Sequence, residues 1–214
     1  MTAISLANET LEKLLGMPEA AERDHNIRKM SEVISSNMRK MAALINGLLL
    51  LAEAGQEPSR VGKVDVQEVV ARVLEERAQD ITRRGVRVEA SELDTVRADP
   101  THMYQLFSNI IGNAVKHNDS PEPLVEVLLL ESDGGLHRYL LRDNGSGIPP
   151  DDIDRIFTPF FKSGKTGDTG LGLSTAMRIA EVYSGGIRAY NEGGACFEIT
   201  LHDYSGAAGG RAAS

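Results

Sequence analysis

The chain has 214 residues, 41% hydrophobic and 25% charged, the balance of a globular protein of one large or two small domains rather than a disordered chain. Its formal net charge of −8 argues against a broad nucleic-acid footprint, because neutralising phosphates takes surplus Lys and Arg. A single cysteine, Cys196, excludes an intramolecular disulfide, and no run approaches the roughly 18 apolar residues of a membrane span or the pattern of a signal peptide. These features predict a soluble, cytoplasmic segment with no membrane contact of its own; a membrane anchor elsewhere in a parent protein is left open. Nucleotide binding is not excluded, since a pocket needs only a few local cations.

In chain order, residues 3–16 and 24–53 are predicted as two helices. In the second, Ile27, Ile34, Met41 and Leu48 recur at heptad spacing, with Met30, Leu44 and Leu51 as the companion row and Asn37 interrupting it. Such stripes mark helices that pack against other helices. Two helices bury little alone, so dimerisation into a four-helix bundle is expected. Residues 54–63 have linker composition.

Beyond the linker, residues 65–83 are predicted as a helix with Val66, Val69, Val70, Val73 and Leu74 on one face, and Val86 and Val88 suggest a short strand. Asp99-Pro100 signals a helix start, running to about residue 117. Residues 124–131 and 137–142 read as strands around Asp-Gly-Gly, 170–184 as a helix, and 187–190 with 196–201 as a hairpin. Cys196 reads as a small buried hydrophobe in the last strand. Residues 206–214 read as a disordered tail. The fold class expected is α+β: a helical hairpin (residues 1–56) forming a dimeric four-helix bundle, a two-layer α/β sandwich (64–204), and a tail (205–214).

Four segments carry candidate chemistry. In Asn109-Ile-Ile-Gly-Asn113-Ala-Val-Lys116-His117, the residues Asn109, Asn113 and Lys116 share one helix face. Amide oxygens suit Mg²⁺ and a lysine suits phosphate. Asp143-Asn-Gly-Ser-Gly-Ile follows a strand; Gly145 and Gly147 permit close approach of a ligand, although the same residues make ordinary turns. Ile156-Phe157-Thr-Pro-Phe-Phe-Lys162 reads either as a satellite core or as the anchor of a glycine-rich mobile segment. Gly170-Leu171-Gly172-Leu173-Ser174 opens a helix, where backbone N–H groups make an anion site. No Walker loop or Rossmann unit is present.

Together and in this order, the four segments resemble the N, first glycine, phenylalanine and second glycine boxes of sensor histidine kinases, in the wider GHKL ATPase superfamily with its Bergerat-type ATP-binding fold. The resemblance covers about residues 64–202, and the two preceding helices look like that family's dimerisation and phosphotransfer hairpin. It implies ATP and Mg²⁺ as cofactors, with Asn113 as the Mg²⁺ ligand, Asn109 nearby, and Lys116 on phosphate. His117 would line the nucleotide or simply end the helix. Asp143 would accept from the adenine amine, with Gly145, Gly147 and Ile148 shaping that wall. Phe157 would anchor a lid, Lys162 or Lys165 would reach phosphate from it, and Gly170 and Gly172 would end it at a helix start, with Leu171 and Leu173 packed beneath and Ser174 also among the nucleotide-binding residues. The activity implied is transfer of the ATP γ-phosphate to a histidine, for relay to a response-regulator receiver domain, in a homodimer.

The resemblance departs at the N-terminus. Met1-Thr2-Ala3-Ile4 looks like the family's first helix entered just after its phosphate-accepting histidine, so the acceptor is expected upstream; a native start without it is the alternative. His25 is followed by Asn26 rather than an acid and is a weak acceptor candidate. His102, His137 and His202 lack metal-ligand spacing and read as surface or strand residues. Two other functions stay open: a nucleotide-binding dimerisation module without phosphotransfer, and another GHKL ATPase such as an anti-sigma-factor kinase.

Overall fold

A computed structural model describes residues 20–162 and 169–206, with the backbone alone at several positions of the first helix. The expected helix 3–16, Lys165, and the tail beyond 206 lie outside the described residues. The chain divides into two compact units, Met1–Leu48 and Leu49–Ser214.

The first unit holds most of helix α1 (Ala20–Ala54), rich in Ala, Met, Leu, Glu and Arg, all good helix formers. Ile27, Ile34, Met41 and Leu48 of the heptad row are between 39% and 55% exposed among the described residues. His25 is exposed on the same helix.

The second unit is a mixed α+β domain. A two-stranded antiparallel sheet pairs β1 (Gly62–Asp65) with β3 (Thr95–Ala98). Neither strand was expected. The predicted helix 65–83 is two helices, α2 (Val66–Glu76) and α3 (Ala78–Arg84), and the break falls at Arg77. There the side chain crosses to Ser108, a partner 31 residues away that local periodicity cannot reveal. Asp65 caps α2 by accepting from Glu68 N–H, and Val66, Val70 and Val73 are buried as the pattern required. Gly85, at φ 66°, ends α3 in the left-handed conformation that glycine adopts without strain.

The main sheet has the order β2-β4-β5-β7-β6, from β2 (Arg87–Ala90), β4 (Leu124–Asp133), β5 (Leu136–Asp143), β6 (Gly186–Asn191) and β7 (Ala195–His202). β2 and β4 are parallel; the other neighbours are antiparallel. Helices α4 (Pro100–His117) and α5 (Gly172–Val182) cover one face, α4 over β4 and β5, α5 over β6 and β7. Asp99 caps α4 and Pro100 opens it, as expected.

Strand alternation sorts the sheet. Tyr139 and Leu141 of β5 face the helices with Phe197, Ile199 and Leu201 of β7; Tyr139 meets Phe107 of α4 edge-on at 5.4 Å. The outer face carries an ionic ladder: Arg142 to Glu126 at 2.6 Å, Arg138 to Glu131 at 2.9 Å and to Glu198 at 2.5 Å, and Arg188 to Glu198 at 2.9 Å. Cys196 is fully buried in β7, as expected.

His102 corrects the sequence reading: it is neither on the surface nor in a strand. It is buried in α4, where its Nδ1 meets the Tyr183 hydroxyl at 3.0 Å, and that hydroxyl accepts from Asp99 N–H. Asp99 in turn accepts from Arg60 N–H and Ser59 Oγ, which ties the segment after α1 to the domain. His137 is buried in β5 between Asp94 and Asp203, and His202 is exposed in β7.

Candidate active site

One cleft of about 520 Å³ lies between α4, the end of β5, the loop after it, and the start of α5, within the size range of small-molecule sites. α4 has two faces. Met103, Leu106, Phe107, Ile110 and Ile111 are fully buried in the core. Asn109, Gly112, Asn113, Lys116 and His117 turn to the cleft. The four-and-three spacing legible in the sequence therefore does place three polar side chains along one wall.

Asp143 reaches the cleft because it continues the inner row of β5, two residues past Leu141. Its Oδ1 accepts from Gly145 N–H at 2.9 Å and from Ala195 N–H at 3.1 Å. Burial raises its carboxyl above the ordinary carboxylate range; those two hydrogen bonds oppose the shift, and the Asp119 charge adds to it.

The loop after β5 is held from both sides. Asp119, just past α4, accepts from Ser146 N–H at 2.7 Å, and hydrogen bonds from Ser146 hold its carboxyl low. Asn191, at the end of β6, accepts from Ile148 N–H at 2.8 Å and donates to Ile148 O at 2.7 Å. Its amide thus copies a strand partner. Gly147 sits at φ 81° directly over it, and a Cβ there would stand 2.7 Å from Asn191 Oδ1.

At the opposite wall, Phe160 N–H donates to Gly170 O at 2.9 Å, which brings the two ends of the segment 161–169 together. Gly172 then opens α5 against Asn109, and its first N–H groups lack helical acceptors. Lys162 and Arg77 add cationic side chains to a cleft in an otherwise acidic protein.

Residues 98–205, about half the chain, match the model of the histidine kinase-, DNA gyrase B- and HSP90-like ATPases (HATPase_c). The chain belongs to this ATPase family. Its relatives include sensor histidine kinases. Signal transduction histidine-protein kinase AfsQ2 of Streptomyces coelicolor is 30% identical over 221 residues, which cover 94% of this chain and 39% of that protein. Sensor protein kinase WalK of Staphylococcus haemolyticus is 31% identical, over 88% of this chain and 32% of that protein. The chain thus spans two fifths or less of the length of these curated relatives. Among solved structures, the mycobacterial sensor histidine kinase MprB is 27% identical with a TM-score of 0.59, over 66% of this chain and 97% of that one. Full-length ShkA in complex with AMPPNP is 25% identical with a TM-score of 0.65, over 94% of this chain and 46% of that one.

In this ATPase domain, Asn109, Asn113, Lys116, His117, Asp143, Gly147, Ile148, Lys162, Gly170, Gly172 and Leu173 all line the cleft. Four other residues singled out from sequence stand behind the wall. Gly145 donates its N–H to Asp143. Phe157 packs against the core, and Leu171 is buried. Ser174 is buried with its hydroxyl donating to Leu171 O. Ser146, Ile156 and Phe161 line the cleft from inside recognised segments that gave them no role of their own, and Thr169 lines it just before the last of those segments. Sequence reasoning missed Arg77, which lines the cleft, and Asn191, which braces it; both lie outside the four segments. Among the described residues no cluster of His, Cys, Asp or Glu suits a metal.

Proposed function

We propose that this domain binds Mg·ATP and presents the γ-phosphate to a histidine, as the catalytic region of a two-component sensor histidine kinase. The observation that carries the reading is the shared cleft: Asp143 at one end, the polar face of α4 along the wall, and the glycine-rich opening of α5 opposite. Asp143 Oδ1 is taken by two backbone donors, while Oδ2 has no hydrogen-bond partner among the described residues. That free acceptor suits an exocyclic adenine amine, with Gly147 and Ile148 as the flanking wall.

The donor set fits the rest of the nucleotide. The amide oxygen of Asn113 would hold Mg²⁺, with Asn109 beside it, as hard cations prefer oxygen. Lys116 and Lys162 would contact phosphate, and the N–H groups at the start of α5 would donate to its oxygens. The metal ion, when bound, supplies neutralisation of phosphate charge. The protein supplies position: it holds the γ-phosphate open to in-line attack by an imidazole nitrogen, so that the N–P bond forms as the bond to ADP breaks. The likeness to ShkA, whose structure contains AMPPNP, supports a nucleotide in this cleft. The exposed row on α1 supports a dimer, and the kinase relatives support relay to a response-regulator receiver domain.

The test is labelling with γ-tagged Mg·ATP in the presence of a helical hairpin that carries the acceptor histidine. The reading predicts acid-labile label on that histidine, unchanged by His25→Gln. Acid-stable label on a partner protein's hydroxyl would indicate a serine kinase of the same superfamily. Nucleotide binding without any label would indicate a dimerisation module that uses ATP only as an effector.

A further inference from the structure

Arg77 stands at the junction of α2 and α3, outside the four recognised segments. Its Nη2 donates to the carbonyl of Ser108 at 2.9 Å and to the Ser108 hydroxyl at 3.1 Å, which lays the guanidinium flat along α4. It lies over Gly112. A Cβ at that position would stand 2.6 Å from Cζ and Nη2 and 2.9 Å from Nη1. Glycine weakens the interior of a helix, and here its missing side chain is the space that the guanidinium fills.

The side chain also lines the same cleft as Asn109, Asn113 and Lys116. Both Nη2 hydrogens serve Ser108, and the N–H groups of Nη1 and Nε have no hydrogen-bond partner among the described residues. A mere tether between helices needs only Nη2. The rest of the fork is a permanent cation with the planar geometry that matches phosphate oxygens.

Position along α4 says which part of a nucleotide it meets. Asp143 is close enough to His117, at the C-terminal end of α4, for the two to interact electrostatically. Gly112 lies five residues earlier, about 7–8 Å along the axis at 1.5 Å per residue. A base anchored at Asp143 therefore leaves its phosphates toward Arg77. We infer that Arg77 is a phosphate-binding residue of this cleft and that Gly112 admits it; the inference rests on the nucleotide reading proposed above.

The test is titration of Mg·ATP and of adenosine into the wild-type chain, Arg77→Gln, Gly112→Ala and the double variant, with thermal melting as the check on folding. Arg77→Gln keeps a side-chain amide near Ser108 and removes the charge. Gly112→Ala keeps the charge, improves the helix and pushes the guanidinium aside. Each single variant is expected to lose about tenfold in Mg·ATP affinity, the scale of a hydrogen bond to a charged group. Adenosine binding is expected to stay within about twofold of wild type, because adenosine carries no phosphate. The double variant is expected to lose no more than either single one, since both act through one guanidinium. Wild-type Mg·ATP affinity in a folded single variant would overturn the inference. So would an equal loss for adenosine, or additive losses in the double variant. If Arg77→Gln does not fold, Gly112→Ala decides alone. Failure of the wild type itself to bind Mg·ATP would instead overturn the nucleotide reading, and Arg77 with it.

Discussion

At Asp143, burial and hydrogen bonding pull in opposite directions, and burial prevails. A carboxyl raised above its unfolded value of 3.8 is most favourable to the fold when protonated, and it costs stability as the pH rises through its folded value. Asp143→Asn removes that cost and keeps an oxygen for Gly145 and Ala195. Its melting temperature at neutral pH is expected to equal or exceed that of wild type by a few degrees, on the scale of about 2–4 °C per kcal/mol. A large fall would show that the charge itself holds the site together. The same variant would turn an NH₂ group toward the base, donor against donor. His102 makes the complementary case. Burial lowers it below its ordinary 6.5, with Asp99 opposing, so it stays neutral in the fold while the unfolded chain protonates. That contribution to stability is present above pH 6.5 and is lost as the pH falls below it, by at most about 1.4 kcal/mol per pH unit. Melting curves between pH 7.5 and pH 5 are expected to shift down on acidification, and His102→Gln is expected to flatten that part of the shift. At this scale, legibility followed contiguity. Asp143 and Asn113 stood out because their segments are continuous. His102 did not, because its partner Tyr183 is 81 residues away.

Among the elements, α4 was the most legible, from its Asp-Pro start to its two-faced pattern, and it carries one wall of the cleft. The strands β1 and β3 were not legible. Gly-Lys-Val-Asp and Thr-Val-Arg-Ala each offer one or two apolar residues, and each is a strand only because of the other. The hairpin β6–β7 was legible, but the role of Asn191 was not, since Ile148 lies 43 residues away. Asn191→Ala removes both bonds to Ile148, at a cost of about 1–2 kcal/mol in stability. Adenosine affinity is expected to fall more than affinity for inorganic triphosphate, because the brace supports only the base wall. Equal losses in paired titrations would contradict that division. On α1, the exposed row predicts self-association. Light scattering is expected to give the mass of a dimer, and Ile34→Glu with Met41→Glu is expected to give that of a monomer.

For the whole molecule, the acidic net charge and the cationic side chains of the cleft are compatible: under the proposed reading, phosphate would be held by a few placed side chains rather than by a general field. The relatives are longer proteins, of which this chain spans two fifths or less. The central claim is that one cleft joins the base anchor Asp143 to the phosphate face of α4. Calorimetric titration of Mg·ATP into the wild-type chain and into Asp143→Asn tests it most directly. The account predicts saturable, one-site binding to the wild type and its collapse in a variant that melts no lower. No binding to a folded wild type, or equal binding to both, would contradict it.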